Sequence, residues 1–202
     1  MKFLDLFPTT IAVSNLETLT TDVIRQAIQL IDSADMFDMG KHGSYTVEQR
    51  ILDNPIFEAV KPEIIGLCKE FSRSYSHEVD DIWICNAWGN AVATGQSIPA
   101  HKHNNSYISG SFYLTHGSSL SITNPSFLNL FGFMPKINAD NFRSWEAYTV
   151  TPEPGMIVLF PSGLNHGVVT SGGDQKRYSI AFNAIPLGTI GIPTALIDIK
   201  MP

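Results

Sequence analysis

Charged residues, cysteines and long apolar runs are all scarce in this sequence. Charged residues make up only 16% of the chain, and 13 Lys and Arg against 19 Asp and Glu give a formal net charge of −6. Because phosphate binding needs clustered basic side chains, we expect neither nucleic acid nor an anionic membrane surface as a partner. No apolar run approaches the roughly 20 residues of a membrane span, and MKFLDLFPTT at the N-terminus has no signal-peptide pattern. We therefore expect a cytoplasmic location.

The two cysteines, Cys68 and Cys85, show none of the spacings that indicate a zinc site. One lies in a segment with a helical pattern and the other in a segment with a strand pattern. We interpret both as buried free thiols.

The length of the chain, 202 residues and 22.2 kDa, suits one domain with a sizeable core. We expect a single domain over 1–202, with helical support in about 1–80 and a β-rich core in about 81–202. Hydrophobic residues make up 44% of the sequence, which together with the low charge favours a compact β-rich body.

Two helices are predicted in the first part of the chain. Apolar residues recur at helical spacing over about 16–33, with Asn15 near the cap: Leu19, Val23, Ala27, Leu30 and Ile31. A second helix is predicted after Asn54-Pro55, although Pro62 interrupts its pattern.

From Asp81 onward the sequence changes to short β-rich segments separated by Gly, Pro, Asn and Ser. Eight predicted strands suit a jelly roll: IWICNAW, SIPAHKH, SYISGSFYL, SLSIT, EAYTV, GMIVLF, HGVVT and RYSIAFN, with a further apolar stretch ALIDI near the end. The long segment 124–145 lies between two strands, and its length and apolar content are typical of a lid or a substrate wall.

Three histidines form a candidate metal site. His101 and His103 make an H-x-H motif, and side chains two residues apart on a strand point to the same face. His166 follows about sixty residues later, at the start of another predicted strand. The motif alone is a weak signal, and its combination with His166 gives it weight.

Arg177 lies eleven residues after His166 in the alternating segment RYSIAFN. Alternation places Arg177, Ser179, Ala181 and Asn183 on one face of that strand. An Arg on the inward face needs an anionic partner, because burying an unpaired guanidinium is unfavourable. Its donor geometry suits a carboxylate ligand, to which Ser179 can add a hydroxyl group.

Asn86, Trp88 and Asn90 share one face of the predicted strand that leads to the H-x-H motif. This placement makes Asn90 a candidate for a polar contact in the pocket.

These motifs in combination resemble the iron(II)- and 2-oxoglutarate-dependent oxygenase superfamily. The stretch HKHNNSYISGSFYL, then PEPGMIVLFPSGLNHGV and RYSIAFN, together with LFPTTIAV and AWGN, is similar to small bacterial and phage-associated members. The resemblance spans most of the chain and implies a double-stranded β-helix, a cupin-like jelly roll.

The resemblance also implies roles for individual residues. His101 and His166 match the histidines that bind Fe(II), Arg177 and Ser179 match the pair that binds the far carboxylate of 2-oxoglutarate, and Tyr113 matches a tyrosine that hydrogen-bonds the same co-substrate. The implied activity consumes O2 and 2-oxoglutarate, releases succinate and CO2, and hydroxylates a C–H bond. The substrate classes implied are protein side chains such as prolyl, and small molecules.

The sequence departs from the superfamily pattern at His103, where a carboxylate is usual. Three alternatives follow: His103 is the third ligand, the site has two protein ligands plus water, or His103 leads the motif with Asn105 in the carboxylate position. We favour the first. A neutral third ligand would leave the iron more positive and strengthen its attraction for 2-oxoglutarate.

Two other functions are compatible with the histidine pattern. One is a cupin-type metalloenzyme that does not use 2-oxoglutarate, and the other is a non-enzymatic jelly-roll binding module. Arg177 with Ser179 argues against the first, and the pairing of H-x-H with a distal histidine argues against the second.

Overall fold

The computed structural model describes residues 1–126, 141–170 and 175–201. Its helices are α1 (Thr21–Ser33) and α2 (Val60–Ser74), and short 3-10 turns lie at Gly40–His42, Ile51–Asp53, Pro55–Phe57 and Phe142–Ser144. Its strands are β1 (Ala12–Asn15), β2 (Met36–Asp38), β3 (Ser44–Thr46), β4 (Asp81–Val92), β5 (Ile98–His101), β6 (Ile108–Tyr113), β7 (Leu120–Thr123), β8 (Ala147–Val150), β9 (Met156–Pro161), β10 (His166–Val168), β11 (Arg177–Ile192) and β12 (Ala195–Ile199).

Helix α1 begins five residues later than the sequence predicts, because Thr20 and not Asn15 is its N-cap. The Thr20 hydroxyl oxygen accepts a hydrogen bond from Val23 N at 3.3 Å, which satisfies one of the free donors of the first turn. Asn15 instead ends strand β1.

Helix α2 is not split at Pro62. This proline lies in the first turn of the helix, where a backbone N–H has no helical partner, so its missing donor is tolerated. Asn54 caps the preceding 3-10 turn, with its side-chain oxygen accepting from Ile56 N at 3.1 Å.

Two antiparallel sheets form the jelly roll. Over the described residues, the larger sheet runs β1-β9-β6-β11-β4-β3-β2, with β12 paired to the far part of β11, and the smaller sheet runs β5-β10-β7-β8. The mainly β architecture with N-terminal helices is the predicted one. The first 80 residues supply three strands of the larger sheet in addition to the helices.

The helices pack against the outer face of the larger sheet. Ile31 and Ile64 from the helices join Ile180 and Phe182 of β11 in one buried cluster. A Cβ added to Gly89 would lie 2.5 Å from Ile31 Cγ1, so the absence of a side chain there lets α1 approach β4 closely. A second apolar cluster lies between the two sheets: Tyr113, Leu120, Ile122, Val150, Val158, Phe160 and Leu164.

Each predicted β segment contains a strand, although SIPAHKH ends earlier than expected. Strand β5 stops at His101, so His103 lies in the loop that follows. Of the long segment 124–145, residues 127–140 lie outside the described part of the chain. Cys68 is buried, Cys85 is partly buried, and both are free thiols. None of the helices in the described ranges has the length and apolarity needed to cross a membrane.

Candidate metal centre and its cavity

The structure brings His101, His103 and His166 together. His101 ends β5 and lies directly opposite His166, the first residue of β10, in the antiparallel register. Their ring centroids are 4.5 Å apart, and each lies 5.2 Å from the ring centroid of His103. One potential ligand atom from each of the three side chains falls within 4.8 Å of the others.

Backbone carbonyl groups orient two of the three rings. Nδ1 of His101 lies 2.9 Å from the carbonyl oxygen of Pro99, and Nδ1 of His166 lies 2.9 Å from that of Leu164. A carbonyl oxygen can only accept, so each Nδ1 carries the proton and each Nε2 presents a lone pair. This is the arrangement in which histidine binds a metal through Nε2.

A loop rather than a strand positions His103. Its backbone N donates to the carbonyl oxygen of Ser162 at 2.9 Å, and Ser162 N donates to the carbonyl oxygen of Tyr107 at 3.2 Å. The strand geometry from which the sequence predicted its orientation is therefore wrong, although the predicted convergence with His101 is correct.

The environment keeps two of the imidazoles neutral. Burial lowers the pKa of His166 from 6.5 to about 4, with smaller contributions from the neighbouring His101 and His103. Burial also lowers the pKa of His103, and His101 adds to that effect. Neutral imidazole is the form that coordinates a metal, so these shifts favour metal binding at neutral pH.

Close packing around His166 fixes the separation of β5 and β10. A Cβ added to Gly167 would lie 2.6 Å from the carbonyl oxygen of Ile98, so only glycine permits this approach of the two strands. On its other side, the ring of Phe160 lies 4.5 Å from that of His166.

Arg177 is buried deep between the sheets, with 2% of its surface exposed. Within the described part of the chain its Nε has no hydrogen-bond partner, and the same is true there of two buried neighbours, the Tyr113 hydroxyl and the Ser179 hydroxyl. Ser179 lies opposite Tyr113 on β6 and opposite Asn90 on β4. The three unsatisfied groups therefore belong to adjacent positions of one sheet face.

The charge of Arg177 is not neutralised by an acidic side chain in the described part of the chain, where no ion pair involves it. Its Cζ lies 5.0 Å from the centroid of the Tyr113 ring, which provides a cation–π contact. Burial lowers the pKa of Arg177 and raises the pKa of Tyr113, the latter opposed by the Arg177 charge. These side chains form a desolvated positive pocket with unused donors.

A cavity of about 520 Å³ connects the three histidines to Arg177. Ser179 and Asn90 line it, as the sequence analysis expected, and Tyr113 lies in the adjacent core. The alternation of β11 is also as predicted, since Arg177 and Ser179 face the cavity and Ile180 packs towards the helices.

Asn86, Trp88 and Asn183 line the cavity on the strand faces that the sequence assigned to them, and Ser109 and Ser111 line it without having been indicated by any motif. The indole of Trp88 lines the cavity and donates from Nε1 to Asn90 Oδ1 at 3.1 Å. The signal was present in the alternation of polar residues in β4, β6 and β11, since Asn86, Ser109 and Asn183 fall on inward positions.

The sequence and the fold were compared with those of known proteins. Residues 86–183 match the family model described as "Putative 2OG-Fe(II) oxygenase". No curated protein matches the sequence.

Several solved structures share the fold. HygX from Streptomyces hygroscopicus, with nickel and 2-oxoglutarate bound, is 13% identical, with 88% of this chain and 83% of that chain covered and a TM-score of 0.60. A Pseudomonas putida prolyl-4-hydroxylase is 14% identical, with coverage of 89% and 94% and a TM-score of 0.58. The non-heme alpha-ketoglutarate-dependent epimerase SnoN from nogalamycin biosynthesis is 11% identical, with coverage of 92% and 84% and a TM-score of 0.65. At these identities the likeness concerns the fold.

Proposed function

We propose, from the match of residues 86–183 to the 2OG-Fe(II) oxygenase family model, that the chain is a dioxygenase that hydroxylates a C–H bond of its substrate. Iron(II) is held by His101, His103 and His166, and 2-oxoglutarate is held at Arg177. When bound, iron(II) and 2-oxoglutarate activate O2 and supply the oxidising power, with release of succinate and CO2.

The observation that carries this proposal is the cluster of unsatisfied polar atoms around Arg177. Arg177 Nε, Ser179 Oγ and Tyr113 OH are all buried donors without a partner among the described residues. A buried group of this kind costs about 1–3 kcal/mol, and more when it is charged. A carboxylate of 2-oxoglutarate accepts from such donors and neutralises the guanidinium, so the residues fit the co-substrate.

The three histidines fit the metal by their chemistry. Imidazole nitrogen suits first-row metals such as iron, and the hydrogen bonds to Pro99 O and Leu164 O leave the Nε2 atoms of His101 and His166 free to bind. Three neutral ligands leave the full positive charge on the metal. That charge attracts an anionic co-substrate more strongly than a site containing a carboxylate would.

The remaining residues position the co-substrate and exclude water. Because Trp88 Nε1 donates to Asn90 Oδ1, the Nδ2 group of Asn90 is available to donate to a ligand. Asn90 lies opposite Ser179 in the pairing of β4 with β11. Hydroxylation requires a substrate C–H bond near the metal, and Trp88 and Asn86 line the same cavity as the three histidines. Electrostatic contacts made in a low-dielectric cavity are stronger than the same contacts in water.

Isothermal titration of the Ni(II)-loaded protein with 2-oxoglutarate tests the proposal. We expect Arg177→Ala to weaken 2-oxoglutarate binding by about 2–5 kcal/mol, as for removal of one partner of a buried charge pair, and to leave the metal content intact. Arg143→Ala is the matched control, because Arg143 is exposed and pairs with Asp5.

Equal affinity in wild type and Arg177→Ala would contradict the assignment and favour a cupin-type enzyme that does not use 2-oxoglutarate. Succinate release by the Fe(II)-loaded protein is then measured with candidate peptides and small molecules. For each candidate that stimulates it, a mass gain of one oxygen atom in the product tests hydroxylation directly.

A further inference from the structure

We propose that Asn86, Ser109 and Asn183 form the substrate-recognition subsite, and that this subsite takes an uncharged group bearing an acceptor oxygen, either a carbonyl or a hydroxyl. The inference rests on the proposed function, since it assigns the Arg177 end of the cavity to 2-oxoglutarate. We call these three residues the Asn183 row.

The Asn183 row is one level of the larger sheet. Asn183 on β11 lies opposite Asn86 on β4 and opposite Ser109 on β6, and all three side chains line the cavity. The Ser106 hydroxyl also donates to Asn183 Oδ1, at 3.3 Å, and Ser106 belongs to the loop that carries His103. The row therefore lies at the histidine end of the cavity.

The co-substrate is too short to occupy this row. The Arg177 guanidinium lies over the Tyr113 ring, and Tyr113 faces Ser179, so the carboxylate is bound at the level of Ser179. Asn183 lies four residues further along β11, about 13 Å away at 3.3 Å per residue. The five-carbon chain of 2-oxoglutarate extends only about 6 Å with bonds of about 1.5 Å. Space at the Asn183 row is therefore left for another molecule.

The hydrogen bonds of Asn183 determine that the row offers a donor, and not an acceptor, to a ligand. Asn183 is 4% exposed, and its Oδ1 accepts from Ser109 Oγ at 2.7 Å as well as from Ser106. Both side-chain hydrogen bonds that Asn183 makes to described residues thus use Oδ1. The Nδ2 group is left to donate into the cavity, and a ligand that satisfies it must present an acceptor.

The absence of charge restricts the ligand further. Among the described residues that line the cavity there is no Asp, Glu or Lys, and the Arg177 charge is used by the co-substrate. A charged substrate group would be desolvated beside Asn183 without a counter-ion, which is strongly unfavourable. A carbonyl or hydroxyl oxygen meets the Nδ2 donor without that penalty.

Ligand-observed NMR on the Zn(II)- and 2-oxoglutarate-loaded protein tests the proposal with four probes. N-acetylglycinamide and erythritol are the neutral carbonyl and hydroxyl probes, while N-acetylglycine and glycinamide carry one negative and one positive charge. We expect at least one neutral probe to bind, at least tenfold more tightly than both charged probes. The neutral probe that binds identifies the source of the acceptor oxygen.

Asn183→Leu removes the Nδ2 donor at similar volume and is expected to weaken binding of the neutral probe at least tenfold, with 2-oxoglutarate affinity unchanged at saturating Zn(II). Asn15→Leu is the control, because Asn15 is exposed on β1 outside the cavity. If Asn183→Leu does not fold, Ser109→Ala is the alternative variant. It removes the hydroxyl that orients Asn183 and is expected to weaken binding of the neutral probe about threefold.

Three outcomes overturn the subsite: no neutral probe binds, a charged probe binds equally well, or binding is unaffected by the Asn183 and Ser109 variants. Each is distinct from failure of the proposed function, which would appear as wild-type protein that does not bind 2-oxoglutarate.

Discussion

His101 and His166 face each other across the antiparallel pair of β5 and β10, and each ring is fixed by a carbonyl two residues before it in the chain. The pair is therefore oriented before a metal arrives. Little side-chain entropy remains to be lost on coordination, which favours tight binding.

Removal of either member of this pair is expected to abolish metal binding. His101→Ala and His166→Ala each delete one proposed Nε2 ligand whose ring is oriented by a backbone hydrogen bond, and calorimetric titration with Ni(II) measures the loss. His77→Ala is the matched control, since His77 is exposed and hydrogen-bonds Tyr107. Wild-type metal content in either test variant would refute the ligand assignment.

His103 is expected to be the third ligand. His103→Asp supplies a carboxylate in its place and should retain the metal, whereas His103→Ala should weaken Ni(II) binding at least tenfold, about 1.4 kcal/mol. Circular dichroism verifies that the fold persists. If His103→Ala binds Ni(II) as tightly as wild type, the site has only two protein ligands.

Tyr113→Phe is expected to separate stability from co-substrate binding. The Tyr113 hydroxyl is buried and has no hydrogen-bond partner among residues 1–126, 141–170 and 175–201, so its removal should leave the ligand-free protein as stable as wild type or up to about 1 kcal/mol more stable. The same change should weaken 2-oxoglutarate binding by about 1 kcal/mol, because one donor to the ligand is lost. Urea unfolding and calorimetry measure the two quantities, and an unchanged 2-oxoglutarate affinity would exclude Tyr113 from the site.

The metal-free protein is expected to lose stability as the pH falls from about 6.5 towards 4. His166 has its ordinary pKa of 6.5 when unfolded and a pKa of about 4 when folded, so between these values the unfolded chain binds the extra proton. The contribution is complete above pH 6.5, and its loss amounts to up to about 3 kcal/mol.

Urea unfolding of wild type and His166→Gln at pH 7 and pH 5 measures this effect. The variant should show a smaller change, since it lacks the titrating ring. Carboxylates whose pKa is lowered, such as Asp53 and Asp81, lose their contributions at lower pH and are common to both proteins. Identical pH dependence in the two proteins would refute the prediction.

The sequence predicts the inward face of β11 well because a strand has a fixed period of two. Arg177, Ser179 and Asn183 could be assigned to one face without knowledge of the neighbouring strands. The same period indicates Asn90 on β4. The period does not specify the register between strands. The alignment of Asn183 with Asn86 and Ser109 therefore follows only from the pairing of β11 with β4 and β6.

The loop residues were less predictable. His103 converges with His101 through a hydrogen bond to Ser162, a residue 59 positions away in the chain, and no local pattern encodes that contact. The start of α1 was missed for a different reason. Asn15 and Thr20 are both good caps, and the choice between them depends on the pairing of β1 with β9.

The buried guanidinium of Arg177 makes the stability of the folded protein depend on the concentration of an anionic ligand. A ligand that binds only the native state stabilises it by mass action, by about 2.7 kcal/mol at a hundredfold excess over its Kd. On the proposed assignment of 2-oxoglutarate to Arg177, the ligand neutralises a buried charge that no described acidic side chain neutralises, so 2-oxoglutarate is expected to stabilise the folded chain as well as to react. The free energy of unfolding should therefore rise and fall with the concentration of 2-oxoglutarate.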